Sequence, residues 1–356
     1  MNPTQPQATV PSITSVLQSL PNERRIHRNV LAVSLLLLNI VTWVTLFTVT
    51  LSVEPGWLKF VCSTLLGFNT GTLFIFGHDL SHGSLTSSSR FNSIAAMVAF
   101  LPSLNPPTSW EWGHNRMHHS WTNLSGKDDG YPPPSLEQWR AMSFGRQVLH
   151  RIYHTVPGLM FYYLIDVWVR HIIFLDRNER SQLRSRTMYV LELMVLAAFV
   201  AMQVGLVMHS GSWRNEGILW QLTDVFLTVV WPFLLWNWIM TFVTIQHHTH
   251  PRVRWFDNEK EWSYFHAQVG GTVHMKFPRI IELGFANIFD HTAHHADKRT
   301  PLYHLPQSQR ALERQYPGDI VIQQASLRHL CDVLKRCRLY DYRANRWMDF
   351  DGRYTT

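Results

Sequence analysis

The sequence predicts an all-α integral membrane protein, with four transmembrane helices in two hairpins under a cytosolic helical cap. Three observations predict it: four long apolar runs, arginines collected on one side of them, and histidines crowded beside their ends. Charged residues make up only 16% of the 356, against about 25% in ordinary soluble domains. The apolar content excludes disorder for most of the chain. Three cysteines (Cys62, Cys331, Cys337) without a CxxC pair exclude a disulfide framework and a zinc ribbon. The net charge of +7 does not point to nucleic acid, because the arginines cluster immediately before apolar runs rather than along a stripe.

The first span is Asn29 to Val53, which carries no charged residue and exceeds the roughly 20 residues needed to cross hydrocarbon. The polar, proline-containing segment before it does not read as a cleaved signal peptide. The second span runs from Trp57 to Gly77, with Lys59 near its outer end able to snorkel. Ser52-Val53-Glu54-Pro55-Gly56 is a turn short enough to make a hairpin. The third span covers Thr187 to His209, with Glu192 early in it, and the fourth Ile218 to Thr244, with Asp224 near its start. Ser210 to Gly217 joins them closely.

Arg24, Arg25, Arg28, Arg177, Arg180, Arg184 and Arg186 flank one side of these spans, while the two tight turns carry only Arg214. The positive-inside bias therefore places both termini in the cytoplasm, with a bacterial inner membrane preferred over the endoplasmic reticulum. The expected organisation is a cytosolic segment 1–29, a transmembrane hairpin 30–77 and a cytosolic cap 78–186. A second hairpin 187–244, more cap at 245–310 and a cytosolic tail 311–356 follow. Within the cap, Phe91 to Leu104 is apolar but too short to cross. Leu149 to Leu175 suits an interfacial amphipathic helix.

Eleven of the 20 histidines fall in four clusters: His78/His82, His114/His118/His119, His247/His248/His250 and His291/His294/His295. On a helix, residues three and four apart share a face. His78/His82, His114/His118 and His291/His295 can thus each aim two rings at one ion, as can His291/His294. The doubled histidines of the second and fourth clusters point another ring towards a neighbouring ion, so the number of imidazoles suggests two metals. With four spans, all clusters lie on one side of the membrane. Imidazole suits Zn, Cu, Fe and Ni. HDLSH has Asp where an HExxH protease has its general base, and Glu111/His114 is the one ExxH spacing, where soluble di-iron bundles pair two. A histidine-rich two-metal site at a membrane surface points to iron, for O₂ chemistry on a lipid-like substrate.

These residues resemble the membrane-bound fatty acid desaturase superfamily, the integral-membrane di-iron enzymes with three histidine boxes, and in particular its acyl-lipid branch. Gly77-HDLSH-Gly83 is similar to the first box, HNRMHH followed by Ser120-Trp121-Thr122-Asn123 to the second, and Asn287-Ile288-Phe289-Asp290-HTAHH to the third. The segment QHHTHP at 246–251 is similar to the QHTHP that follows the fourth span in that branch. The second box has one residue more than the HxxHH usual there.

The resemblance implies two iron ions with O₂ as co-substrate. The implied ligands are His78, His82, His114, His118, His119, His291, His294 and His295, with a further one from QHHTHP, where the register leaves His248 and His250 open and His247 behind them. Asp79, Asp290, Asp128 and Asp129 are candidates to hold the rings in place. Neither a haem-binding HPGG motif nor a nucleotide fingerprint is seen, which implies an external electron donor such as a ferredoxin, rubredoxin or cytochrome. The expected reaction is desaturation of a fatty-acyl chain. The alternatives are oxidative decarboxylation of a free fatty acid to a terminal alkene, hydroxylation by the same metals, or, in another class, a metal transporter or sensor.

Overall fold

The computed structural model describes residues 10–54, 56–128, 130–210 and 217–356; the expectations for Asp129 and Arg214 lie outside the described residues. Among the described residues, four helices are long and apolar enough to cross a membrane: Asn29–Ser52, Gly56–Ser81, Arg186–His209 and Ile218–His248. Most of the first and third faces outward, exposing side chains such as Leu38, Val41 and Met194, which suits contact with lipid.

The second span is the centre of the bundle. It packs against the first span, the fourth span and the short helix Ser89–Phe100. Small residues let these backbones approach: a Cβ at Gly67 would stand 2.9 Å from Leu235 and one at Gly71 3.4 Å from Ile239, both on the fourth span. The spacing of Gly67 and Gly71 is the small-xxx-small pattern of close helix pairs in lipid. At Gly77 a Cβ would fall 2.5 Å from the Phe100 ring, so Ser89–Phe100 can lie directly over the first histidine box. Side-chain hydrogen bonds from Trp43 to Thr70 at 3.0 Å and from Asn69 to Asn39 at 3.0 Å join the first two spans.

Lys59 does not snorkel. It is 5% exposed, and its Nζ donates to Asp224 Oδ1 at 2.6 Å, tying the second span to the fourth. A cation buried within the protein is stabilised by pairing with a carboxylate. Lys59→Ala alone is expected to destabilise the protein by about 3 kcal/mol, since it removes the cation facing a partly buried carboxylate, and Lys59→Leu with Asp224→Leu to recover most of that loss. Chemical denaturation in detergent measures both; equal losses in the single and double variants would contradict the pairing.

Outside the spans the chain is not wholly α-helical. Strand β1, Val273–Lys276, pairs in parallel with β2, Val321–Gln324, and β3, Leu339–Asp341, pairs antiparallel with β4, Arg346–Met348. Val273, His274 and Met275 are all buried, so this strand is covered on both faces, and it packs against the helix of the third box, His291–Ala296.

The segment after Pro301 is folded. Helix Leu327–Arg336 buries Leu330, Val333 and Leu334, and Trp347 is fully buried with its Nε1 donating to His250 O at 3.0 Å. At the other end of the chain, Arg24 and Arg25 both bind Asp297, just beyond the third box, at 2.8 and 2.9 Å.

Candidate metal centre

The second and fourth spans both end at the histidines, and each carries its own cluster in its last turns. His78 occupies the last turn of the second span and His82 follows it, one helical turn on; their Nε2 atoms stand 3.3 Å apart. The second box is wound differently from the expectation. Glu111–His118 is π-helical, and His119 N–H donates to His114 O at 3.1 Å. A π-bulge accommodates one inserted residue, which is the residue by which HxxxHH exceeds HxxHH. The winding brings together His114 and His119, five apart, with Nε2 atoms at 3.2 Å. His118 turns away from them, so the predicted pairing of His114 with His118 is corrected.

Nine imidazoles converge in two groups. His78, His82, His114, His119 and His294 form one; His118, His248, His291 and His295 form the other, with the ligand atoms of each group within 4.8 Å of one another. The third box spans both: His291 and His295, four apart, share the second group, while His294 reaches across to His119, Nε2 to Nε2 at 3.0 Å. The alternative pairing of His291 with His294 is therefore not the one adopted. The groups touch where the His119 and His295 rings stack with centroids 4.4 Å apart.

Of the QHHTHP segment, His248 enters the centre, its Nε2 3.0 Å from that of His291. His250 does not. The helix of the fourth span ends at His248, Thr249 is extended (φ −129°, ψ 113°), and the chain swings His250 away to face the His329 ring at 5.6 Å. His247 lies behind His291, ring on ring at 3.8 Å.

Outer partners fix the rings. His118 Nδ1 meets Asp128 Oδ1 at 2.8 Å, and the same buried carboxylate accepts the backbone N–H of Asn123 at 2.7 Å and of Gly130 at 2.8 Å. His78 Nδ1 lies 3.2 Å from Asp79 Oδ1, whose other oxygen accepts Leu302 N–H at 2.8 Å. His295 Nδ1 faces Gln268 Oε1 at 2.8 Å, and His248 Nδ1 faces Asn123 Oδ1 at 3.3 Å. A carboxylate or carbonyl at Nδ1 puts the proton there and leaves Nε2 as a lone pair directed inward.

Asp290 does not fill the role expected of it. It pairs with His274 at 3.3 Å, and His274 in turn with Glu313. Burial pushes Asp290 up to about 6, against the pull of His274.

Gln268 and Asn123 also hold rings from behind, and neither is among the candidates that the sequence offers for that role. Asn123 stands in the Thr122-Asn123 that closes the second box, a signal available in the sequence. Gln268 lies in the π-turn Phe265–Val269, with no pattern to distinguish it.

Burial and neighbouring rings hold His82, His114, His119, His291, His294 and His295 well below the ordinary imidazole range. Neutral rings are the form that binds metal. His295 Nε2 is buried with no hydrogen-bond partner among the described residues. Ring nitrogens converge in pairs at 3.0–3.3 Å with no carboxylate among them, and buried neutral imidazoles so gathered are a donor set that fits metal ions.

Beside the imidazoles lies an apolar cavity. Phe74, Trp110, Tyr163, Ile239 and Met240 line it, and His114, His118, His248 and His291 form part of its wall.

The family model described as fatty acid desaturase matches residues 55–325. The sn-1 oleoyl-lipid 12-desaturase of Picosynechococcus sp. is 24% identical over 351 residues, covering 94% of this chain and 95% of that protein. The enzyme of the same name from Synechocystis sp. is 26% identical over 290 residues, 80% of this chain and 78% of the relative. The chloroplastic omega-6 fatty acid desaturase of Spinacia oleracea is 26% identical over 280 residues, 78% of this chain and 59% of that longer protein. With histidine boxes gathered at the ends of membrane-spanning helices and a family match over most of its length, the chain belongs to the fatty acid desaturase family.

Proposed function

We propose that the protein introduces a double bond into the acyl chain of a membrane lipid, using two metal ions held by the nine imidazoles. The observation that carries this is the adjacency of the two histidine groups to an apolar cavity among the spans. The relatives named as oleoyl-lipid 12-desaturases support a lipid-linked acyl substrate.

His78, His82, His114, His119 and His294 would hold one iron, and His118, His248, His291 and His295 the other. Bound there, the iron pair supplies the O₂-dependent oxidising power needed to remove hydrogen from an unactivated methylene, which no side chain provides. The protein's own part is placement. Asp128, Asp79, Gln268 and Asn123 hold the rings by their Nδ1 edges, and a displaced ring is a displaced metal. Phe74, Trp110 and Ile239 keep water from the acyl chain and lay it alongside the His118 and His248 wall.

In this reading the spans form two hairpins, the centre and both termini face the cytoplasm, and an external carrier of the ferredoxin, rubredoxin or cytochrome type delivers electrons. The basic cytoplasmic face would attract an acidic carrier.

Product analysis tests the proposal. Expression in a host lacking polyunsaturated lipids is expected to yield a new internal double bond in membrane acyl chains, read by gas chromatography and mass spectrometry. A volatile terminal alkene or a hydroxylated chain in its place would overturn it.

A further inference from the structure

His171 lines the same cavity as the site imidazoles but belongs to neither of their groups. It sits near the end of the π-helical segment Tyr163–Ile173, and its Nδ1 meets Glu179 Oε1 at 2.6 Å. Glu179 is buried, and its other oxygen accepts the backbone N–H of Asp176 at 2.8 Å. The carboxylate thus accepts a hydrogen bond from Nδ1–H and fixes the ring, leaving Nε2 on the opposite edge.

This contact fastens helix Arg177–Gln182 to the cavity wall. Trp112, another lining residue, packs against the cluster of Leu175, Leu183 and Tyr189, whose two leucines bracket that helix in the chain.

The helix so fastened presents a cationic face. Arg177 and Arg180 are three apart and share a side. Arg186 folds back, its Nε donating to Arg180 O at 3.1 Å, and Arg184 lies between. All four are exposed, and among the described residues none forms an ion pair with a carboxylate. The nearby carboxylates are committed, Asp176 to capping the helix and Glu179 to His171.

Phe174, just before the helix, is 72% exposed, and the third span starts at Arg186. Exposed aromatic and arginine side chains at the start of a span mark the level of lipid head groups.

Resting on the desaturase reading above, we propose that Arg177, Arg180, Arg184 and Arg186, with His171 at the border between head group and acyl chain, form a binding site for an anionic phospholipid. The substrate is then a phospholipid carrying net negative charge. The same arginines serve the positive-inside rule, but that rule acts through charge alone and does not require the arginine helix to be latched to the cavity wall through His171, Glu179 and Trp112.

The test uses the full-length purified enzyme, loaded with ferrous iron, supplied with O₂ and a continuously reduced ferredoxin, and reconstituted with equimolar phosphatidylglycerol and phosphatidylcholine of identical acyl chains. Lipid retained by the protein after detergent extraction, measured by mass spectrometry, requires no turnover; double bonds per lipid class are measured separately. Phosphatidylglycerol is expected to be enriched at least about fivefold in both. Arg180→Gln with Arg184→Gln is expected to bring the retention ratio close to one, and Arg180→Lys with Arg184→Lys, which keeps the charge and the topological signal, to preserve it. Equal retention of the two lipids by the unaltered enzyme, or a preference that survives the glutamine pair, would overturn the site. If retention is equal while double bonds form, the head-group site falls and the desaturase reading stands; if phosphatidylglycerol is retained and neither lipid is desaturated, the reverse holds.

Discussion

Alanine at His248 is expected to abolish desaturation and empty one of the two metal positions, whereas alanine at His250 leaves both near the level of the unaltered enzyme. The two residues stand two apart in one motif, and the difference lies in the backbone between them. His248 ends the helix of the fourth span and brings Nε2 to 3.0 Å from that of His291. Thr249 is extended, and His250 faces His329 outside either group. Losing an outer-shell partner of a metal ligand lowers affinity or activity by about 10–100-fold. Losing the ligand itself is expected to exceed that, with turnover down more than about 100-fold. Iron content per chain, measured by plasma emission spectrometry beside lipid product analysis, separates the outcomes. Full activity in the His248 variant, or the same loss in both variants, would refute the assignment of this segment.

Acid is expected to destabilise the metal-free protein steeply below about pH 6.5. Burial holds six site rings outside the spans well below the usual imidazole range, so the folded chain keeps them neutral. The unfolded chain protonates them at an ordinary value of about 6.5. Below that pH the unfolded state binds more protons, so stability falls as the solution is acidified. Each ring contributes up to about 1.4 kcal/mol per pH unit until its folded value is reached. Above pH 6.5 both states are neutral and these rings give no slope. Bound metal opposes protonation, so the metal-loaded protein is expected to resist acid further and to release its ions as the rings charge. Denaturation midpoints between pH 7.5 and 5, with and without a chelator, measure both effects; a flat profile for the metal-free protein would contradict the burial of neutral rings.

The spans were legible because crossing hydrocarbon demands a long apolar run whatever its neighbours are, and Asn29–Ser52 and Arg186–His209 satisfy that demand in sequence alone. Lys59 reads in sequence as a residue free to snorkel because its partner, Asp224, is 165 positions away and only packing of the second span on the fourth makes them neighbours. The pairs His78/His82 and His291/His295 could be foreseen, each lying one helical turn apart. His114/His118 could not be assigned by the same rule, because the spacing rule presumes α-helical winding and the second box is wound as a π-helix. The extra residue in HNRMHH is the trace of that winding.

The sequence by itself determined that this chain crosses a membrane and carries enough clustered imidazole for two metal ions. Those are properties of composition and short-range spacing, which act within one segment. Tertiary structure alone decided how nine rings divide into five and four, that His294 crosses from its own box to the other group, and that Asp128, Gln268 and Asn123 hold the rings from behind. Such a division depends on which segments meet, and that is set by the packing of Gly67 and Gly71 against the fourth span and of the third box between the two span ends. Local periodicity fixes the direction of a side chain from its own helix, but only long-range packing fixes what it meets.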